Sequence, residues 1–201
     1  MYEYYKLSHK QCQELVEQHL KQGFPPHYPP HTVQVEAFYL LTAACYRHQC
    51  ILMTSSRREQ LLNLIFQQFV EKGFEIAAWV ILVNHYYLLV YVRNFKQLSS
   101  IFQTIHSSTS YKWNQEDHQQ SRKVWYCFSD RAIHSERHYY TTLNYIHYNP
   151  VKHNYTNSPY DWKESSFHWY LDLESYGRQW LRDGLHILLD IMAQDEMIKS
   201  Q

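Results

Sequence analysis

Hydrophobic residues recur along the middle of the chain at two spacings, one typical of strands and one typical of helices. Residues 76–82 and 85–92 alternate between two faces, and Val83-Asn84 separates them, which predicts two strands joined by a tight turn. In the second run Tyr86, Leu88, Val90 and Val92 form an apolar face, and His85, Tyr87, Leu89 and Tyr91 point the other way. His85 and Tyr87 are therefore expected to lie side by side on one surface of a sheet.

Further elements surround this pair. Residues 33–46 and 123–128 are rich in β-branched and aromatic residues and are predicted to be strands. Ser56 followed by Glu59 forms a capping-box pattern that predicts the start of a helix, and a second long helix is predicted from Leu98 to about Trp113. The order β-α-β-β-α-β favours an α+β, ferredoxin-like split βαβ fold. Such an antiparallel sheet carries helices on one face and leaves the other open.

A third predicted helix begins at Ser135, a plausible N-cap, and is expected to end at Pro150. Its apolar stripe, at helical spacing, should face a core and consists of Tyr139, Leu143 and Ile146. A neighbouring polar stripe consists of His138, Thr142, Tyr145 and Asn149. Tyr145 thus precedes an amide by one turn, which suits a tyrosine nucleophile beside a group that holds a metal or a phosphate. The alternative is that Tyr145 only packs, as most of the 19 tyrosines are expected to do.

The two ends of the chain differ from its middle. Residues 1–30 are predicted to form a short amphipathic helix followed by a linker that contains two Pro-Pro pairs. Residues 171–201 show helical spacing of apolar residues and are predicted to be a helical extension. The sequence therefore divides into an N-terminal segment (1–30), a central domain (31–170) and a C-terminal extension (171–201).

Composition and charge narrow the class of protein. No stretch of 18 apolar residues and no secretory leader is present, and the four cysteines form no Cys-x-x-Cys pair, so a cytoplasmic protein without a membrane span is expected. The formal net charge is zero, but residues 93–153 contain eight Lys and Arg against four acids. From residue 172 onward, six acids face three bases. A basic middle with an acidic tail suits a nucleic-acid surface with a shielding extension, although a solvated surface explains the tail equally well.

Two motifs, taken together, resemble the HUH single-tyrosine transposases and most closely the REP-associated tyrosine transposases. The family's strand motif, Pro-Asn-His-x-His-Leu-Leu-Val, resembles residues 83–90, which read Val-Asn-His-Tyr-Tyr-Leu-Leu-Val. The family's helix motif, Tyr-Ile-x-x-Asn-Pro-Val-Lys-His-Gly, resembles residues 145–154, which read Tyr-Ile-His-Tyr-Asn-Pro-Val-Lys-His-Asn. Shorter matches occur in the same order over residues 25–170.

The resemblance implies a single-stranded DNA endonuclease and strand transferase that acts at hairpin-associated sites through a 5′-phosphotyrosine at Tyr145. It also implies a Mg²⁺ or Mn²⁺ site formed by His85, Asn149 and the residue at position 87. The family has a second histidine at that position, and this chain has Tyr87, whose neutral phenol is a much poorer ligand than imidazole. Either the metal binds weakly, or another group such as His147 or His153 completes the site, or the chain binds DNA without cleaving it.

Basic residues interleaved with aromatic ones are candidates for the DNA surface, because aromatic rings can stack on unpaired bases. The candidate basic residues are Lys112, Arg122, Lys123, Arg131 and Lys152. The candidate stacking groups are the aromatic residues among them, Tyr111, Trp113, Trp125 and Tyr126, although Trp113 is equally expected to be a core residue because of its helical spacing. The expected partner is single-stranded or hairpin DNA, bound by a monomer or homodimer. An RNA-binding ferredoxin-like domain is a further alternative, although the usual aromatic RNP consensus is absent from the sequence.

Overall fold

The computed structural model describes residues 36–172, which fall in one compact unit that begins at Val35. The predicted N-terminal helix and linker, Cys12, and nearly all of the C-terminal extension lie outside the described residues.

Four antiparallel strands form the centre of the described fold. They are β1 (Ala37–Ala44), β2 (Glu75–Ile81), β3 (His85–Val92) and β4 (Ser129–Ala132), in the spatial order β2-β3-β1-β4. β1 pairs along its whole length with β3, so that Ala44 lies opposite His85 and Ala37 opposite Val92. This order and the alternation of strands and helices confirm the predicted α+β class with a ferredoxin-like antiparallel sheet.

Two long helices cover one face of the sheet. Helix α1 spans Ser55–Glu71 and helix α2 spans Phe95–Glu116. Both present apolar stripes at helical spacing to the predicted apolar face of β3, and together they enclose the larger core. Its fully buried members include Leu41, Leu61, Ile65, Phe69, Tyr86, Leu88, Leu98, Ile105 and Trp113.

The other face of the sheet is predicted from the sequence to be open. That prediction is wrong, because helix α3 (Glu136–Lys152) packs on this face. Leu143 and Ile146 are buried there against Val80 and Leu89. The polar stripe of α3 turns towards the sheet as well, since Thr142 and Asn149 are also buried. Tyr145, which lies on this stripe, therefore faces the sheet rather than open solvent.

Two predicted boundaries are wrong. Helix α1 starts at Ser55, and its N-cap is Thr54, whose hydroxyl accepts from the backbone N–H of Arg57. The predicted cap, Ser56, lies inside the helix. Helix α3 starts after the predicted N-cap Ser135, but Pro150 lies within its last turn and the helix continues to Lys152. A proline near the end of a helix removes one backbone hydrogen bond without necessarily terminating it.

The predicted strand at 123–128 is also wrong, because the regular pairing of β4 begins only at Ser129. Val124 and Trp125 are consecutive and both buried, whereas a regular strand would place them on opposite faces. The segment instead makes a single bridge from Trp125 to Cys45. Within residues 36–172, no helix has the length and apolar character needed to cross a bilayer.

Candidate active site

The strand motif and the helix motif meet at the beginning of β3. The hydroxyls of Tyr87 and Tyr145 lie 3.1 Å apart, within hydrogen-bond distance, and their rings meet edge to face with centroids 5.3 Å apart. These residues are 58 positions apart in the chain. Burial and the neighbouring Tyr145 hydroxyl raise the pKa of Tyr87 well above its usual value, so that Tyr87 is a neutral phenol.

His85 is oriented by its neighbour in the strand motif. Its Nδ1 lies 2.6 Å from Oδ1 of Asn84, while the Nδ2 amide of Asn84 donates to the carbonyl of His48 at 3.2 Å. Because Oδ1 can only accept, Nδ1 of His85 carries the proton and Nε2 keeps its lone pair. Burial lowers the pKa of His85 to about 4, and the side chain of Asn149 beside the ring partly opposes that shift. His85 is thus a neutral imidazole with a lone pair that can bind a metal.

Asn149 provides the second suitable donor. Its side chain is fully buried, and its Nδ2 donates to the Tyr145 carbonyl at 3.3 Å. Oδ1 has no hydrogen-bond partner of good geometry in the described part of the chain. A buried amide oxygen without a partner costs free energy, and a divalent cation would satisfy it.

The end of helix α3 is locked in place by its backbone. The N–H of Asn154 donates to the Val151 carbonyl, and the N–H of Tyr155 donates to the Pro150 carbonyl, both at 2.9 Å. Asn154 has a left-handed φ of 57°. These two bonds with a left-handed residue form a Schellman motif, and asparagine is the usual substitute for glycine there. The motif fixes where His153 leaves the helix.

His153 is the imidazole that reaches His85. The ring centroids of His85 and His153 lie 5.1 Å apart, and Tyr155 stacks on His153 with its centroid at 5.7 Å. His147, the other candidate named above, points away from the site and bonds the Ser166 hydroxyl at 2.8 Å. His147 packs against Phe167 and Tyr170, and burial lowers its pKa to about 3, so it belongs to the core.

These residues fit a divalent metal in part. His85 and Asn149 offer an imidazole nitrogen and an unpaired amide oxygen, whereas the neutral Tyr87 phenol contacts Tyr145 instead. Among residues 36–172, no three His, Cys, Asp or Glu side chains are clustered as a metal site. His153 offers a further nitrogen donor beside His85.

The candidate DNA-binding cations lie in different surroundings. Lys152 places its ammonium 4.9 Å from the centroid of the Tyr145 ring, and Arg131 of β4 is near enough to Tyr87 to favour its ionised form. Arg122 is instead engaged with Asp117 at 2.7 Å. Lys112 is exposed on α2, and Lys123 is exposed beyond the end of β1. Lys152 and Arg131 thus border Tyr145 and Tyr87, and the other three do not.

Two of the predicted aromatic stacking groups are core residues in the structure. Trp113 and Trp125 are buried in the larger core, and the indole N–H of Trp125 donates to the Thr109 hydroxyl at 2.9 Å. Sequence reasoning missed Asn84, although it precedes His85 in the strand motif. It also missed the exposed segment around Tyr46 and Arg47, for which the sequence contains no motif.

Comparison with known proteins places the chain among transposases. The family model described as "Transposase IS200 like" matches residues 34–149, more than half of the chain. The REP-associated tyrosine transposase of Escherichia coli (strain K12) is 29% identical over 122 residues, which cover 56% of this chain and 71% of that protein. A Haemophilus influenzae sequence of the same group is 30% identical over 121 residues, covering 53% of this chain and 66% of that one.

A solved structure shares the fold. The structure of a REP-associated tyrosine transposase bound to a REP hairpin aligns with a TM-score of 0.58 at 22% sequence identity. The alignment covers 74% of this chain and 86% of that one.

Proposed function

Since this chain belongs to the family of IS200-like transposases, we propose that it cleaves and rejoins single-stranded DNA through a covalent link at Tyr145. The observation that carries the proposal is the convergence of the two motifs, with the Tyr145 hydroxyl 3.1 Å from the residue at the second histidine position. Tyr139 and Tyr140 instead pack against the buried residues between α3 and the sheet.

The reaction assigned to Tyr145 is a transesterification. The Tyr145 oxygen attacks the phosphorus of the scissile phosphate, the bond to the 3′ oxygen breaks, and the strand is left with a 5′-phosphotyrosine and a free 3′-hydroxyl. The phenol proton goes to solvent, and the 3′ oxygen takes up a proton as it leaves. A 3′-hydroxyl attacking the phosphotyrosine reverses the step and joins two strands.

Three neighbours support this chemistry. The Lys152 ammonium lies over the Tyr145 ring and stabilises the phenolate electrostatically. The Tyr87 hydroxyl can donate to the phenolate, and hydrogen bonds to an ionised acceptor are the stronger kind. Arg131, close to Tyr87, adds positive charge where the phosphate would enter.

His85, Asn149 and His153 would hold the divalent metal on which the family generally depends. Mg²⁺ and Mn²⁺ accept mixed oxygen and imidazole ligands, and such an ion would polarise the phosphate when bound. Asn84 fixes the lone pair of His85 on Nε2, and the Schellman motif fixes His153. Tyr87 is left out of this set because its hydroxyl contacts Tyr145.

The proposed partner is single-stranded DNA next to a hairpin, in analogy to the hairpin-bound relative. The three described cysteines are free thiols, which suits work in the reducing cytoplasm. We further propose the central domain of residues 31–170 as the DNA-processing unit, with the segments on either side as appendages.

A second function is favoured by one specific observation. Tyr87 occupies the position of a metal-binding histidine, so that the chain could bind the same DNA without cutting it. The two functions differ in whether a covalent adduct forms.

The first prediction separates them. Incubating the protein with labelled hairpin-flanked single-stranded DNA and Mn²⁺ should yield an adduct that survives a denaturing gel. Tyr145→Phe should abolish the adduct and leave DNA affinity nearly unchanged, because only the nucleophilic oxygen is removed.

Tyr148→Phe is the matched control, since Tyr148 lies on the same helix at partial burial, and it should keep forming the adduct. An adduct that persists in Tyr145→Phe contradicts the assignment of the nucleophile. Binding without any adduct in the unaltered protein supports the second function.

A further inference from the structure

A cluster of aromatic and basic side chains lies just beyond the end of β1. Tyr46 and Tyr126 are only partly buried, and their ring centroids lie 5.0 Å apart. The Lys123 ammonium lies 4.9 Å from the Tyr46 ring and 5.8 Å from the Tyr126 ring, and the Arg47 guanidinium lies 5.4 Å from Tyr46. We call Tyr46, Arg47, Lys123 and Tyr126 the aromatic–basic cluster.

The backbone holds this cluster rigidly. The Tyr46 N–H donates to the Val124 carbonyl at 2.7 Å, and the Tyr126 N–H donates to the Ala44 carbonyl at 2.9 Å. The residues between these bonds, Cys45 and Trp125, are buried in the larger core. Tyr46 and Tyr126 directly follow these two buried residues, and their rings therefore lie next to each other above the core.

The backbone of this segment adopts an unusual conformation at two consecutive residues. Arg47 and His48 have left-handed φ angles of 54° and 53°, although neither is glycine. Consecutive non-glycine residues in this region are strained, and such strain is concentrated at functional sites. Arg47 and Lys123 are exposed, and neither forms an ion pair with any carboxylate in the described part of the chain.

The cluster adjoins the candidate active site. The His48 carbonyl accepts from Asn84, whose other side-chain atom bonds His85, and His48 is near enough to His85 to influence its ionisation. The His48 ring also lies 6.2 Å from Tyr126. A DNA strand that leaves the candidate active site past Asn84 would therefore reach the aromatic–basic cluster directly.

We propose that the aromatic–basic cluster binds single-stranded DNA, with unpaired bases stacked on Tyr46 and Tyr126 and the backbone phosphates paired with Arg47 and Lys123. Stacking tolerates any base, because every base presents a π face, and cations at the edge of the rings follow the backbone. The cluster would hold the strand next to the phosphate that reaches Tyr145. This assignment rests on the proposed DNA function, but it concerns binding and not cleavage.

The test measures binding in a Tyr145→Phe background, so that its result does not depend on cleavage. Fluorescence anisotropy with short labelled oligodeoxythymidine should show that Tyr46→Leu and Tyr126→Leu each weaken binding on the order of ten-fold. Tyr46→Phe and Tyr126→Phe should bind as the parent does, because they keep the ring. Lys123→Gln should reduce the dependence of log affinity on log salt by about 0.7, the value for one phosphate on a single strand.

Matched controls come from exposed residues outside the cluster, namely Tyr160 and Lys72, which directly follows α1. Tyr160→Leu and Lys72→Gln should leave affinity and salt dependence as in the parent. An oligonucleotide with 2-aminopurine should lose fluorescence on binding to the parent and keep it with Tyr126→Leu, which reports stacking directly.

Three results would overturn the proposal: leucine variants of Tyr46 and Tyr126 that bind as the parent while folded by circular dichroism, phenylalanine variants as weak as the leucine ones, or equal losses in the Tyr160 and Lys72 control variants. Failure of the proposed function looks different. The unaltered protein, which retains Tyr145, would then form no adduct, whatever the cluster variants bind.

Discussion

At the scale of single residues, Tyr87 distinguishes this site from the family pattern. A histidine at this position would contribute a nitrogen ligand, whereas Tyr87 places a neutral hydroxyl 3.1 Å from the Tyr145 hydroxyl. The substitution therefore moves position 87 from a proposed metal-binding role to a proposed role beside the nucleophile.

Two substitutions of Tyr87 should have different effects. Tyr87→Phe removes the hydrogen bond to the Tyr145 phenolate, so that adduct formation should slow about ten-fold, with Mn²⁺ affinity unchanged. Tyr87→His adds an imidazole and should tighten Mn²⁺ binding. Calorimetric Mn²⁺ titration and the rate of adduct formation check both variants, and reduced Mn²⁺ affinity in Tyr87→Phe would show that Tyr87 is a ligand after all.

At the scale of elements, the C-terminal half of helix α3 and its cap bring together three functional groups. Tyr145 and Asn149 are one turn apart on the polar stripe, and the Schellman motif after Lys152 turns His153 back towards His85. The left-handed Asn154 makes this turn possible. The helix end thus provides both the proposed nucleophile and two of the proposed metal ligands.

His153→Ala should weaken Mn²⁺ binding at least ten-fold, because even changes outside the ligand set can cost 10–100-fold. His118→Ala is the control, since His118 is exposed after the end of α2, is not among the groups that influence His85, and should not affect the metal. Calorimetry or the Mn²⁺ electron paramagnetic resonance signal measures the difference. Unchanged affinity in His153→Ala would leave His85 and Asn149 without a third ligand from this helix.

At the scale of the whole molecule, the sheet separates a structural core from the candidate site. Helices α1 and α2 close one face, and α3 brings its nucleophile to the other. His106 belongs to the structural side, where its Nε2 lies 2.9 Å from the Tyr86 hydroxyl and its ring stacks on Trp125 at 4.6 Å.

Burial lowers the pKa of His106 from 6.5 to about 3. Between pH 6.5 and about 3, His106 binds a proton in the unfolded chain but not in the folded chain. The free energy of unfolding should therefore fall as the pH drops from 6.5 to about 3. The slope from this residue is at most about 1.4 kcal/mol per pH unit.

Urea unfolding at several pH values tests the role of His106. His106→Gln should reduce the pH dependence across that window, whereas the exposed control His118→Gln should retain it. Equal pH dependence in His106→Gln and the unaltered protein would assign the acid sensitivity to other groups.

The sequence by itself determined what depends on local pattern. The period of two in residues 85–92 placed the ends of β3 correctly and put His85 and Tyr87 on one face, because side chains alternate along any strand. The helical period placed Tyr145 and Asn149 on one stripe, and Ser135 marked the start of α3. Both family motifs are short and continuous, so that the family was predictable and is confirmed.

The tertiary structure alone decided what depends on contacts between distant segments. Whether Trp113 and Trp125 stack on DNA or fill the core depends on how α2 meets the sheet, and they fill the core. Helical and strand spacing also could not choose between His147 and His153, because both follow Tyr145 closely in the chain. Only the packing of α3 on the sheet and the turn at Asn154 direct His147 into the core and His153 towards His85.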